Sequence, residues 1–360
     1  MRVFSFVKRG GASLRVMSVS RVIGRMHSVP ESRFGSTDLV VSRIGFGAWA
    51  IGGPAMAGST PIGWGDTDDA TSTRAIEEAL DRGITFFDTA DFYGLGHSEE
   101  LIGRVLGNRA DVQIATKVGH RLADDESIVL DYSRDHILRA CEASLRRLRR
   151  DQIDLYQLHS ARISHLEQGE CIEAMERLVD EGKVRYWGLS LNTYRPEPEA
   201  TYLMDRRLGH GFQLVLNVIN QRSLDIVRRA AELGYGMIAR MPLQFGLLAG
   251  KFDADTRFGR EDHRSFRLTP TVLRRANDDL APFRNLANSL GVLPASLALA
   301  YVLSYRQVSS VIPGIRTPEQ ASLNAAGPFS LKDEDRLLLE EVYDRSLAGL
   351  VDLMQDEEST

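Results

Sequence analysis

Four polar side chains stand at or just past the ends of apolar runs. Asp88 closes "ITFFD", Tyr93 follows it by five residues in "FYGLGHSEE", Lys117 lies in "VQIATKV", and His159 closes "IDLYQLH". A carboxylate or ammonium in apolar surroundings is costly unless it is paired. Singly, Asp88 reads equally as a turn cap and His159 as a satisfied half-buried histidine. Together the four make a proton-transfer set. Adding hydride to a carbonyl carbon builds charge on oxygen, so a proton donor must stand beside that oxygen. A phenol, with an ordinary pKa of about 10, is a weak acid at neutral pH, and a neighbouring ammonium favours its phenolate. For such chemistry Tyr93 is the candidate general acid. Lys117 can supply the ammonium, Asp88 can hold Lys117 in place, and His159 can direct a hydrogen bond to the carbonyl oxygen.

The elements around these residues alternate. Eight apolar runs, "RIGFGAW", "ITFFDTA", "VQIATKV", "IDLYQLHS", "VRYWGLSL", "FQLVLNVIN", "YGMIARMPL" and "VSSVIPGI", are mostly continuous, as parallel strands covered on both faces require. Amphipathic segments separate them. In "DDATSTRAIEEALDRG" Ala75, Ile76, Ala79 and Leu80 share a face and Gly83 stands as a stop. In "SRDHILRACEASLRRLRR" Ile137, Cys141, Leu145 and Leu148 form the apolar stripe, which leaves Arg146, Arg147, Arg149 and Arg150 largely outside as a solvated end. Ser98 is placed to open the helix after Tyr93. Eight such units, with no G-x-G-x-x-G after the first run, favour an α/β fold of the closed (β/α)₈ type over an open doubly wound sheet. The expected organisation is a single barrel domain over residues 30–360 with long active-site loops. "LKDEDRLLLEEVYDRSLAGLVDLM" reads as a C-terminal helix.

The chain has 360 residues, 43% of them hydrophobic and 26% charged, with a formal net charge of -5. This balance points away from nucleic acid or an anionic membrane as the main partner. Two cysteines, Cys141 and Cys171, are too few for a disulfide framework and suit a reducing compartment, so a cytoplasmic location is expected. No run reaches the roughly 18 apolar residues of a membrane span. Residues 1–29, Arg- and Ser-rich and without an acid, read as a non-core extension. A tail, a start upstream of Met17 or Met26, and a targeting segment all fit that composition. No metal is expected.

The motifs "DTADFYGLGHSEELIGRVL", "ATKVG", "SLRRLRRDQIDLYQLH", "GKVRYWGLS", "RMPLQFGLLAGK" and "VIPGIRTPEQASLN" occur in that order from Arg33 to Asn324. Together they resemble the aldo-keto reductases. That resemblance implies a TIM barrel binding an extended NADPH without a Rossmann motif, and a catalytic tetrad falling on Asp88, Tyr93, Lys117 and His159. It places the nicotinamide amide against Ser190 and Gln213. The usual Ser-Asn pair reads "SLN" here, so Leu191 takes the Asn position and Asn192 follows one residue later. Arg240 stands where many relatives stack an aromatic ring on nicotinamide, and a planar guanidinium can stack too. In the Pro242-containing loop after the seventh run, the N–H groups of Leu243, Gly246 and Leu248 and the Lys251 ammonium are implied pyrophosphate ligands. Gly314, Arg316, Gln320 and Asn324 are implied for the adenosine 2'-phosphate and adenine, with Thr317 and Pro318 opening a short helix. Arg316 favours NADPH, and NADH is the second candidate.

Two long loops should supply substrate contacts: "GGPAMAGSTPIGWGDTD", with Trp64 as a pocket wall beside Tyr93 and His159, and "KFDADTRFGREDHRSFR" as a lid. The expected partner is a small neutral carbonyl compound such as an aldehyde, ketone or sugar, with the chain a monomer or homodimer. Two rival functions remain open: a cofactor-holding regulatory subunit, as potassium-channel β subunits of the family are, and a dehydrogenase acting on a sugar or secondary alcohol.

Overall fold

A computed structural model describes residues 29–327 and 329–359. Each apolar run contributes one strand to a parallel sheet. In chain order these are β1 Phe46–Gly47, β2 Phe86–Asp88, β3 Gln113–Val118, β4 Ile153–His159, β5 Val184–Ser190, β6 Gly211–Val215, β7 Gly236–Arg240 and β8 Ser310–Ile312. Each strand bonds its neighbour in sequence. Parallel bridges from Ile44 to Val311 and from Gly47 to Gly314 join the two ends, so the sheet closes into a barrel. The outer layer comprises α1 Asp69–Asp81, α2 His97–Leu106, α3 Arg134–Leu148, α4 Glu170–Asp180, α5 Glu197–Arg206, α6 Leu224–Glu232, α7 Pro294–Ser304 and α8 Pro318–Ala326.

Local chemistry explains the helix ends. The Asp68 carboxylate accepts the Thr71 N–H at the start of α1, and Gly83, at φ +83°, turns the chain out after it. Thr317 caps α8 by accepting from the Gln320 N–H, with Pro318 in the first turn. Two expectations about helix ends fail. Gly96, left-handed at φ +102°, precedes α2, and Ser98 lies one residue inside it. The Ser98 hydroxyl is buried and donates to the Ala48 carbonyl at 2.9 Å, which ties α2 to the end of β1. Arg147 is not a solvated end either. It forms a 2.6 Å ion pair with fully buried Glu99, and that carboxylate also accepts from Thr116 at 2.5 Å. Arg150 likewise donates to the Gly107 carbonyl at 2.9 Å.

An antiparallel hairpin, Glu31–Arg33 with Val40–Ser42, covers the base of the barrel. Its Phe34, Leu39 and Val41 pack with Phe86, Ala115, Leu155, Ile238 and Ile312 inside the strands. Phe34 needs the space left by Gly211 and Gly236, where a Cβ would stand 2.2 and 2.4 Å from its ring. The plugged base leaves the opposite, C-terminal rim for chemistry.

Val29, assigned by sequence to the extension, is 4% exposed and packs in the core. The rest of that segment, residues 1–28, lies outside the described residues. The C-terminal segment forms two helices, Asp333–Val342 and Ala348–Ser359, joined by a π-helical turn at Tyr343–Leu347. The second reaches the rim: Arg222 pairs with Asp352, and the Tyr194 hydroxyl donates to Glu358 at 2.8 Å. Burial pushes the free thiols of Cys141 and Cys171 up to about 12 and about 11, so both are inert. Among the described residues, no single helix is long and apolar enough to cross a membrane.

Candidate active site

Strand register brings the polar residues to one rim. Asp88 faces Gly47 on β1 and Ala115 on β3, Lys117 on β3 faces Gln157 on β4, and His159, Ser190 and Gln213 stand side by side on β4, β5 and β6. The Lys117 side chain is wholly buried. Its ammonium donates to Asp88 Oδ1 at 2.6 Å, to the Thr89 carbonyl at 2.7 Å and to the Tyr93 hydroxyl at 3.2 Å. Burial works against this ammonium, yet Asp88 and Tyr93 outweigh it and hold its ionisation above the ordinary value. The other Asp88 oxygen accepts from Gln213 Nε2 at 2.6 Å and from Gln157 Nε2 at 3.3 Å. The charge pair is therefore satisfied on both sides, as burial at this depth demands.

The Tyr93 and His159 rings meet edge to face with centroids 5.9 Å apart. Burial, then His120, Lys117 and Arg240, hold His159 well below the ordinary histidine range, so its imidazole is neutral. Its Nδ1 is buried without a partner among the described residues, which leaves Nε2 as the nitrogen available to a ligand. Both rings open onto a cavity of about 640 Å³.

Ser190, Gln213, Arg240, Pro242, Leu243, Gly246, Lys251, Gly314 and Gln320 line the same cavity, as does Trp64. Two buried polar atoms on its wall, Gln213 Oε1 and Arg240 Nε, have no hydrogen-bond partner among the described residues. A Cβ built on Gly314 would meet only Ala50, at 4.0 Å, so the backbone there lies open to a close-fitting group. These features suit a long polar ligand reaching from the tetrad towards α8. Arg240 is fixed in the cavity wall. It donates to the Leu191 carbonyl at 3.1 Å and to Thr193 Oγ1 at 3.0 Å, and burial pulls its ionisation below the ordinary value.

Other expected ligands stand elsewhere. Asn192 does not enter the cavity, because its Oδ1 accepts the N–H groups of Tyr194 and Arg195, each at 2.9 Å, and so closes a turn. The Gly246 and Leu248 N–H groups both donate to the Leu243 carbonyl, at 2.9 and 3.2 Å, and are therefore spent within the loop. Met241, Gln244, Phe245 and Gly246 all have positive φ, which curls the loop inward and accounts for those bonds. Leu248 is a core side chain, and Asn324 is buried on α8 away from the cavity. Arg316, by contrast, is tied to two residues of the cavity wall: its N–H donates to Gln320 Oε1 at 2.7 Å and its Nη1 to the Trp64 carbonyl at 3.3 Å.

The two long loops clasp each other. Trp64 bridges Asp262, and the His263 N–H donates to the Gly63 carbonyl at 3.1 Å. The His263 ring is completely buried, stacked on Trp49 at 4.3 Å and edge-on to Trp64 at 4.4 Å. Burial, with Arg267 and Arg264, drives its ionisation down to about 2. His263 should then make the clasp acid-sensitive. An unfolded histidine titrates near 6.5, so stability from the neutral ring is complete above that pH and is lost as pH falls towards the folded value. Urea unfolding should show the stability gap between wild type and His263→Gln closing by about 1.4 kcal/mol per pH unit from about pH 6 to about pH 5. A gap independent of pH would mean that the buried ring already carries the proton.

Sequence inspection missed Gln157, Trp49, Thr193, His120 and His263. Gln157 had a visible signal, a polar residue inside the apolar run "IDLYQLH". Trp49 stacks on Tyr93 at 5.9 Å through a contact that spans two loops and leaves no local pattern.

Comparison with known proteins agrees with this geometry. The model of the Aldo/keto reductase family matches residues 43–344. The chain is 30% identical to an aldo-keto reductase of Bacillus subtilis (strain 168) over 331 residues, covering 88% of this chain and 94% of that one. It is also 30% identical over 316 residues to an L-galactose dehydrogenase of Arabidopsis thaliana, covering 83% of this chain and 88% of the relative. Among solved structures it resembles a glycerol dehydrogenase from Gluconobacter oxydans with a TM-score of 0.73 and 30% identity, covering 88% and 95% of the two chains.

Proposed function

The chain belongs to the aldo/keto reductase family, and from that premise we propose that it is an NADPH-dependent oxidoreductase that reduces an aldehyde or ketone to the alcohol, with Tyr93 as general acid. The observation that carries the reading is the contact at the base of the cavity, where the Lys117 ammonium lies 3.2 Å from the Tyr93 hydroxyl and 2.6 Å from Asp88. A nicotinamide held against Ser190, Gln213 and Arg240 would supply the hydride for the carbonyl carbon. Tyr93 and neutral His159 receive the carbonyl oxygen between them, and both side chains donate to it as charge develops. The Tyr93 proton passes to that oxygen, and Lys117 stabilises the phenolate left behind. Asp88, fixed by Gln213 and Gln157, keeps Lys117 charged and in place. The aromatic rings of Trp49, stacked on Tyr93, and Phe92 give the cavity apolar walls beside these residues.

Among the relatives, a glycerol dehydrogenase and an L-galactose dehydrogenase favour a second reading, in which the same residues run in reverse and the Tyr93 phenolate accepts a proton from an alcohol. Initial rates with carbonyls and alcohols, each with both cofactors in both redox states, test the two directions. Faster turnover of every carbonyl with NADPH supports reduction, whereas turnover of alcohols alone overturns it.

Arg316 at the start of α8 supplies the cation for a 2'-phosphate. Removing a charge-assisted hydrogen bond costs about 1.5–3 kcal/mol. Arg316→Ala should therefore raise KM for NADPH by roughly ten- to a hundredfold while leaving KM for NADH nearly unchanged. Equal changes in both constants would remove Arg316 from the phosphate site.

A further inference from the structure

The proposed reduction leaves the imidazole of His120, on the cavity wall, without a task. His120 starts a short hairpin after β3, His120–Leu122 paired with Ile128–Leu130. Its ring lies against His159, with centroids 4.3 Å apart and 35° between planes, and meets Phe92 edge-on at 5.5 Å. His120, His159 and Tyr93 all line the same cavity. Neither ring nitrogen of His120 has a hydrogen-bond partner among the described residues. Burial holds the imidazole down at about 4, so near neutral pH it offers one N–H donor and one bare lone pair.

On the cavity side His120 stands beside Phe92 and the hairpin's Ile128, and on its other side it borders a groove lined by Asp91, Arg121, His136 and Arg147. The Trp49 indole N–H, on the same cavity wall, is already given to the Ile62 carbonyl at 3.0 Å. With no protein partner, the N–H and the lone pair of this ring are available to a ligand that enters the cavity. The ring's position constrains that ligand. With the reacting oxygen at Tyr93 and His159, an imidazole whose centre lies 4.3 Å from that of His159 is close enough to meet a second oxygen on a small substrate.

We propose that His120 is a specificity-determining residue that hydrogen-bonds an oxygen on the carbon adjacent to the reacting carbonyl, so that α-hydroxy and α-oxo aldehydes and ketones are preferred over unfunctionalised ones. The assignment rests on the carbonyl reduction proposed above. It adds no chemical step: hydride adds to one carbonyl carbon, Tyr93 protonates its oxygen, and the neighbouring oxygen is held unchanged.

Propanal and 2-hydroxypropanal form the matched pair for the test. Wild type should favour 2-hydroxypropanal in kcat/KM by about tenfold, the value of one hydrogen bond in a partly closed site. That ratio should fall to about one in His120→Leu and persist in part in His120→Gln, which keeps a donor and an acceptor. Independently of turnover, tryptophan fluorescence with oxidised cofactor present should show propane-1,2-diol binding more tightly than propan-1-ol to wild type, and this difference should vanish in His120→Leu. A preference absent from wild type, or unchanged in His120→Leu, overturns the role of His120. If neither aldehyde turns over, the reductase reading fails, and the diol measurement still decides the hydrogen bond.

Discussion

Tyr93→Phe should lower kcat for carbonyl reduction by about 10²- to 10⁴-fold, the range expected for loss of a positioned general acid. NADPH affinity should hardly move, because the substitution removes one oxygen at the floor of the cavity, far from the α8 end. The aromatic body remains, so the stack on Trp49 and the edge contact with His159 survive. What is lost is, among the described residues, the only proton donor that Lys117 contacts directly. Loss in kcat with unchanged cofactor titration identifies an interaction made in the transition state. Near wild-type kcat would assign the proton to another group, and His159 would be the next to test.

The second large effect concerns the charge pair. Asp88→Leu leaves the Lys117 ammonium buried with only the Thr89 carbonyl and Tyr93 hydroxyl for company. Breaking a buried ion pair from one side costs about 3–5 kcal/mol, which should appear as a large drop in the urea midpoint. The substitution also unties Gln213 and Gln157. A double variant, Asp88→Leu with Lys117→Met, removes both charges and should recover much of that stability, since well-packed apolar replacements of buried pairs are often neutral or better. Its activity should stay at least about a hundredfold down, because no cation then faces Tyr93. If the double variant regained both stability and activity, Lys117 would be a packing element only.

The barrel was legible because its physics is repetitive. Parallel strands covered on both faces need continuous apolar runs, and all eight runs contain a strand of the sheet. Polar residues interrupting those runs carry a cost, which is why Asp88, Lys117 and His159 stood out. Gln157 carries the same mark but its type, neutral and common in loops, drew no attention. The resemblance placed the cofactor loops, though side-chain direction within them depends on backbone detail. One residue of slippage in "SLN" sends Asn192 into a turn, and left-handed residues in Met241–Gly246 bend two N–H groups back onto Leu243. Ser98 failed as a cap because Gly96 had already turned the chain. His120 and His263 were invisible for a different reason. Each gains its meaning from a ring 39 or more positions away in sequence, and no local pattern encodes such a contact.

The central claim is that this cavity reduces a carbonyl. Protein preloaded with one equivalent of NADPH is mixed with excess 2-hydroxypropanal or propanal, nicotinamide absorbance is followed through a single turnover, and the alcohol is quantified. Oxidation of the bound cofactor with an equal yield of alcohol is the predicted result. Cofactor that stays bound and reduced in the presence of every carbonyl tried would contradict it, and would point instead to a protein that holds NADPH without using it.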